Sequence, residues 1–92
     1  MPENLLVITT LPDQNTAEQL AGSLVEAGLA ACVNIGAPVT SVYKWNGELQ
    51  RGTERMLTIK TSRARYPALE KAITDGHPYE LPEVIAVTIT AG

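Results

Sequence analysis

Residues 41–49 read SVYKWNGEL, and residues 56–61 read MLTIKT. An Asn-Gly pair at 46–47 separates two strand-forming runs, and both residues tolerate the positive φ angles of a two-residue hairpin turn. The hairpin carries Trp45, the only tryptophan of the chain, and Tyr43, which points to the same face because strand residues alternate sides. A small domain has little core in which to bury such a pair beside a turn. The pattern therefore predicts a hairpin that contacts a neighbouring subunit or lines a shared site.

Composition and charge predict one soluble domain spanning residues 1–92. The formal net charge is −3 and the basic residues are scattered among acids, which argues against a nucleic-acid partner. No segment approaches the roughly 18–20 apolar residues of a membrane span, and residues 1–4 lack the basic start of a signal peptide. A single cysteine excludes an internal disulfide and suits a reducing compartment. We therefore expect a cytoplasmic protein without a membrane partner.

The hydrophobic pattern predicts four strands and two helices in the order β-α-β-β-α-β, the arrangement of the ferredoxin-like α+β fold. The predicted strands are residues 5–10, 29–45, 48–61 and 84–89, and the predicted helices are residues 16–28 and 67–76. The first strand is apolar throughout, so we expect it to be covered on both faces. The second and third strands form a long central hairpin around the Asn-Gly turn.

Local signals set the boundaries of these elements. Thr16 followed by Gln19 is a capping-box pattern, which predicts the start of the first helix. Pro67 suits the first position of the second helix. The Gly-Ala-Pro run at 36–38 predicts a bulge, because proline cannot donate to a sheet ladder, and Gly52 predicts another in the return strand.

Few side chains point to chemistry when the residues are considered alone. His77 lies in a stiff His-Pro-Tyr segment, where a lone histidine is more often a hydrogen-bonding residue than a metal ligand. Cys32 lies within an apolar strand, which predicts a small buried hydrophobe. Glu54 and Glu80 match no metal-ligand spacing, and glutamates are usually solvated. Gly-rich phosphate loops and triad motifs are absent, and residues 11–15 lack the glycines and arginine of an acylphosphatase-like anion loop.

Four stretches, at residues 29–35, 41–48, 56–61 and 77–85, together resemble the CutA divalent-cation-tolerance proteins in sequence and order. The resemblance implies a ferredoxin-like subunit in a homotrimer, similar in architecture to the PII signalling proteins, with hairpins crossing the subunit boundaries. It implies a cytoplasmic protein that binds copper or other divalent cations, with no catalysis and no obligatory cofactor. The alternative is a PII-like signalling or scaffold trimer that binds a small metabolite or protein partner between subunits.

The resemblance also implies candidate site residues. Copper binding in the family involves a cysteine whose position is occupied here by Thr9, a poor copper ligand, and a histidine whose position is occupied by His77. The predicted metal ligands are His77, Cys32 and Glu54. The predicted interface or ligand-cleft residues are Tyr43, Trp45, Lys60, Tyr79 and Glu80. Family members usually continue past the last strand with another strand and a helix, so we expect part of the sheet to be uncovered here.

Overall fold

The computed structural model describes residues 3–92. Its elements in chain order are β1 (Asn4–Leu11), α1 (Gln14–Glu26), β2 (Cys32–Trp45), β3 (Glu48–Ser62), α2 (Tyr66–Gly76) and β4 (Ile85–Ile89). Within these residues the strands form one antiparallel sheet in the order β2-β3-β1-β4. The predicted β-α-β-β-α-β order and the α+β class are confirmed, and the topology is that of the ferredoxin-like fold.

Both helices pack on one face of the sheet. Alternate residues of β1 and β3 point to that face, because side chains of a strand alternate between its two sides. Apolar side chains of α1 and α2 close over them. The largest fully buried apolar side chains are Val7, Leu11, Leu24, Leu57, Ile59, Leu69 and Ile73. Each side chain of this size stabilises the fold by about 1.5–3 kcal/mol relative to exposure, so this layer holds the domain together.

The other face of the sheet, which we call the open face, has no helix over it within residues 3–92. Leu6 and Ile8 of β1 are only half-buried there. Met56, Ile85 and Val87 lie on the same face and are 36%, 46% and 48% exposed. Burial therefore alternates along β1, and the prediction that this strand is covered on both faces is wrong for the single chain.

The first helix begins earlier than its capping-box pattern predicts. Asp13 is the N-cap of α1, and its carboxylate accepts a hydrogen bond of 2.8 Å from the backbone N–H of Thr16. The predicted cap at Thr16 is therefore wrong, since a carboxylate one turn earlier satisfies the free amides of the first turn. At the other end Gly28 has a positive φ of 72°. The amides of Leu29 and Ala30 still bond to the carbonyl of Leu24, so β2 starts later than predicted.

A one-residue bulge reverses the facing of β2. Ile35 pairs with Leu57 and Pro38 pairs with Arg55. Between these two pairs β2 has one more residue than β3, which is the bulge predicted for residues 36–38. The extra residue shifts the alternation of sides along β2. Odd-numbered residues such as Val33 and Ile35 face the helices before the bulge, and odd-numbered residues from Val39 to Trp45 face the open side after it. Gly52 pairs with its β2 partner in continuous register, so the bulge predicted there is wrong.

Beyond the bulge the hairpin extends as two strands alone. β1 pairs with β3 only as far as Arg55, so residues 38–55 form a projecting hairpin arm. The arm runs about 23 Å from its root to its tip at the strand rise of about 3.3 Å per residue. Asn46 and Gly47 at the tip have φ angles of 50° and 78°, which confirms the predicted turn.

The hydroxyl of Thr9 supplies a test of the core. Thr9 is fully buried on the helix-covered face, and within residues 3–92 its Oγ1 has no hydrogen-bond partner. Replacing Thr9 by Val keeps the shape and removes an unsatisfied polar group, so we expect the free energy of unfolding to rise by about 1 kcal/mol. Chemical denaturation measures this change.

Thr61→Val is the matched control for that measurement. The hydroxyl of Thr61 donates to the carbonyl of Leu29 at 2.7 Å, so its removal takes a partner from a partly buried acceptor and destabilises the protein. Equal losses of stability in the two variants would show that the hydroxyl of Thr9 is not a cost to the fold.

Candidate functional site

The polar side chains of interest meet at the root of the hairpin arm. Glu54 lies on β3 and shares the open face with alternate arm residues of β2, beginning with Val39 and Ser41. Tyr79, in the connector between α2 and β4, donates a hydrogen bond of 2.8 Å from its hydroxyl to Oε2 of Glu54. The connector therefore reaches across the sheet to the first part of the arm.

His77 is the buried centre of this connector. Its Nε2 lies 2.7 Å from the carbonyl oxygen of Thr10 at the end of β1, and its Nδ1 accepts a 3.0 Å hydrogen bond from the backbone N–H of Tyr79. A carbonyl can only accept and an amide can only donate, so these contacts require the neutral tautomer with hydrogen on Nε2. The Tyr79 ring also packs on the imidazole, with centroids 4.8 Å apart. Both ring nitrogens are thus engaged, and metal ligation by His77 requires one of these bonds to break.

Burial and hydrogen bonding shift the pKa of Glu54 in opposite directions. Partial burial by itself raises the pKa of the Glu54 carboxyl, but the hydroxyls of Ser41, Tyr79 and Thr10 around the carboxylate hold the pKa below its ordinary value. Burial, followed by the hydrogen bond to Glu54, raises the pKa of Tyr79 to about 12. At neutral pH the pair is therefore a carboxylate bound by a neutral phenol. We call Thr10, Ser41, Glu54, His77 and Tyr79 the root cluster.

Cys32 and Lys60 lie at the far end of the open face. They are cross-strand partners, and both are exposed. Cys32 was expected to be buried; that expectation is wrong because Cys32 is the first residue of β2 and shares the uncovered face with Lys60. Along β3, Lys60 and Glu54 are separated by about 20 Å at the usual strand rise.

The structure therefore does not bring the three predicted metal ligands together within one chain. His77 and Glu54 belong to the root cluster, whereas Cys32 lies about 20 Å away along the sheet. Residues 3–92 contain no group of three or more histidine, cysteine, aspartate or glutamate side chains placed to hold a metal ion.

The predicted cleft residues divide between the arm, the connector and the distant end of the sheet. Tyr43 and Trp45 lie on the open side of the arm, 50% and 67% exposed. Tyr43 reaches back toward the root, with its hydroxyl 3.9 Å from the position of a Cβ at Gly52. Tyr79 joins the root cluster, and Glu80 beside it is exposed. Lys60 is the member that the structure separates from the others.

Two members of the root cluster have no counterpart among the predicted site residues. Ser41 could have been found from the sequence, because counting back from the Asn-Gly turn places it opposite Gly52, next to Glu54 on the same face. Thr10 could not, since its position depends on the pairing of β1 with β3, which no local pattern specifies.

The sequence matches the family described as CutA1 divalent ion tolerance protein over residues 5–92. The chain belongs to this family. The divalent-cation tolerance protein CutA of Thermus thermophilus is 40% identical over 87 residues, covering 95% of this chain and 84% of that protein. The chloroplastic Protein CutA of Arabidopsis thaliana is also 40% identical, over 97% of this chain, but the chain spans only 49% of its length.

Solved CutA structures share this fold. The crystal structure of CutA1 from Oryza sativa matches with a TM-score of 0.97 at 40% identity, covering 99% of this chain and 84% of that one. The CutA of Archaeoglobus fulgidus, described as periplasmic, matches with a TM-score of 0.93 at 31% identity over 97% of this chain and 86% of that one. The resemblance to CutA proteins is confirmed.

The names of CutA relatives place them in more than one compartment. One is described as periplasmic and another as chloroplastic. Neither helix within residues 3–92 has the length and apolar character needed to cross a membrane. Family membership therefore does not by itself assign a compartment to this chain.

The lowered pKa of Glu54 predicts a specific pH profile. A carboxyl whose pKa is lower in the folded state stabilises the protein above its unfolded pKa, near the ordinary 4.5, and this contribution is lost as pH falls through the folded value. We expect Glu54→Gln to lower the free energy of unfolding at pH 7, with the difference from wild type shrinking below about pH 4.5. Urea denaturation across this pH range measures the difference.

Glu80→Gln is the control for that profile, because Glu80 is an exposed carboxylate next to Tyr79. We expect its stability to run parallel to wild type at every pH. A Glu54→Gln profile that also runs parallel to wild type would show that the carboxylate is not stabilised by its neighbours.

Proposed function

We propose that the chain forms a homotrimeric divalent-cation-tolerance protein that binds copper or other divalent ions in the cytoplasm and catalyses no reaction. The observation that carries the proposal is the family match along residues 5–92. The family and its Thermus thermophilus member are described by tolerance of divalent ions or cations, which supports a relation to metal ions. The single cysteine suits a reducing compartment.

The hairpin arm supports assembly because it is apolar on both sides. Tyr43 and Trp45 lie on its open side, while Val42 and Leu49 lie on its other side and are 53% and 61% exposed. A two-stranded ribbon is marginally stable in water, so an arm with two apolar sides gains from a neighbour on each. A closed ring of three subunits supplies two neighbours to every arm.

The open face supports the same assembly. On the sheet side of the root cluster, the exposed Met56, Ile85 and Val87 lie beside the half-buried Leu6 and Ile8. Contiguous apolar surface of this kind is rare on monomers and marks interaction sites. A neighbouring arm laid over this face would cover the apolar surface of both partners.

Cation binding requires more than one subunit if it uses the predicted donors. Cys32 is the soft donor that copper prefers, and it is exposed. Glu54 and its hydroxyl neighbours are hard oxygen donors, about 20 Å from Cys32 along β3. We therefore propose that a site on Cys32 takes its remaining ligands from a neighbouring chain.

The absence of catalysis is supported by the state of the only histidine. His77 uses both ring nitrogens in hydrogen bonds to backbone groups, so neither is available as a general base in the folded chain. The family name denotes tolerance of divalent ions and no reaction.

A second candidate function is a scaffold or signalling trimer that binds a small metabolite or a protein between subunits. The exposed Tyr43 and Trp45, side by side on the open side of the arm, favour this candidate because aromatic pairs suit stacking on planar ligands. Trp45 fluorescence against a metabolite panel tests it, since a ligand that stacks on the indole changes the emission. If no metabolite in the panel changes the emission, small-molecule stacking on Trp45 is excluded.

The role of Trp45 in assembly can be tested directly. Trp45→Ala removes the most exposed aromatic side chain of the arm, so we expect the trimer to dissociate at protein concentrations at least about tenfold higher than wild type, with cation binding affected only after dissociation. Sedimentation velocity over a dilution series measures the change. Val25→Ala, on the outer side of α1, removes another exposed apolar group away from the arm and should leave assembly unchanged. An unchanged trimer in Trp45→Ala would contradict the proposed interface.

Native mass spectrometry with and without Cu⁺ gives subunit number and metal stoichiometry in one measurement. We expect Cys32→Ser to weaken Cu⁺ binding at least about tenfold, because the chain loses its only thiolate donor. Glu83→Gln, which removes an exposed carboxylate in the connector, serves as the control. Equal Cu⁺ affinity in wild type and Cys32→Ser would exclude the thiol from the site.

A further inference from the structure

We propose that the root cluster is a clasp that fixes the direction of the hairpin arm, with His77 and Tyr79 as positioning residues for subunit assembly. The inference deepens the proposed function and rests on it, since it assigns a role in assembly to residues that the family resemblance suggested as metal ligands or cleft residues. It is carried by a continuous path of hydrogen bonds from the body of the sheet to the arm.

The first part of the path joins the connector to β1. The imidazole of His77 donates to the carbonyl of Thr10 and accepts from the backbone amide of Tyr79. His77 is 8% exposed and follows directly on α2, so the ring lies between the sheet and the end of that helix. Because both contacts involve backbone groups, they fix where the Tyr79 ring can lie.

The second part of the path joins the connector to the arm. The hydroxyl of Tyr79 donates to Glu54, the residue next to Arg55, where the pairing of β1 with β3 ends. The bond therefore holds the arm at the first residue for which the sheet supplies no neighbour on that side. Hydrogen bonds to a carboxylate are among the stronger ones in proteins, and this one is partly shielded from water.

Because this bond lies at the root of the arm, a small change of angle there moves the tip by several ångströms. An arm about 23 Å long that tilts by about 10° at its root displaces its tip by about 4 Å, taking the usual strand rise. A displacement of that size moves Trp45 out of register with any surface that receives it. Fixing the root before association reduces the ordering cost that binding would otherwise carry.

The same bonds argue against the root cluster as a ready metal site. The carboxylate of Glu54 already accepts from Tyr79, and the His77 nitrogens are both engaged, so a cation would have to displace existing partners. The donors satisfy one another, as expected of a structural link.

Tyr79→Phe tests the clasp by removing one hydroxyl while keeping the ring on His77. Tyr66→Phe is a closely matched control, because the hydroxyl of Tyr66 also donates to a glutamate, Glu70, at 2.9 Å, but within a single helix. Hydrogen exchange at the amides of residues 39–54 reports on the arm, and exchange at residues 4–11 reports on the core. Subunit dissociation is measured on the same samples by sedimentation.

We expect Tyr79→Phe to speed exchange in the arm at least about tenfold relative to the core and to raise the dissociation constant of the assembly, with Tyr66→Phe changing neither. Equal effects of the two variants on the arm, or equal acceleration of arm and core in Tyr79→Phe, would overturn the clasp. If wild type proves monomeric, the proposed trimer fails, and the comparison of arm with core exchange still decides the clasp by itself.

Discussion

The ladder between β1 and β3 ends at Arg55, while β3 continues with β2 as its only strand partner in the described chain. β3 therefore extends well past the end of β1, and this difference in length shapes the rest of the molecule. Up to Arg55 the hairpin is part of a sheet with a helical layer and a buried core. Beyond it the same two strands have no third neighbour, and their stability depends on the turn, on cross-strand pairs and on whatever surface they meet. Tyr79, whose pKa is raised to about 12, bonds to Glu54 at this transition.

The sequence predicted the elements well because each has a local cause. The helices have apolar stripes, the Asn-Gly pair favours a tight turn, and Pro38 has no N–H to donate to the ladder. The errors arose where local signals compete. Asp13 caps α1 in place of Thr16, which lies three residues later, and Gly52 continues a regular strand despite its lack of a side chain.

The site was predicted less completely because its contacts are long-range. Glu54 and Tyr79 were named separately, but their contact joins residues 25 apart in sequence. Cys32 was expected to be buried because its neighbours are apolar, but no element within residues 3–92 covers that face and Cys32 is exposed. Periodicity identifies which side chains share a face, but it does not show what covers the face.

The bulge at residues 36–38 has a consequence for how the gene for such a protein can change. Deleting one codon there would leave one β2 residue for each β3 residue, and Ser41, Tyr43 and Trp45 would keep the partners that the Asn-Gly turn gives them. The indole would stay on the side it shares with Glu54, but the bend and the extra twist of the bulge would be lost. The side on which an arm residue lies is set by its distance from the turn, so losing one residue between 39 and 45 is more disruptive than losing one at the bulge.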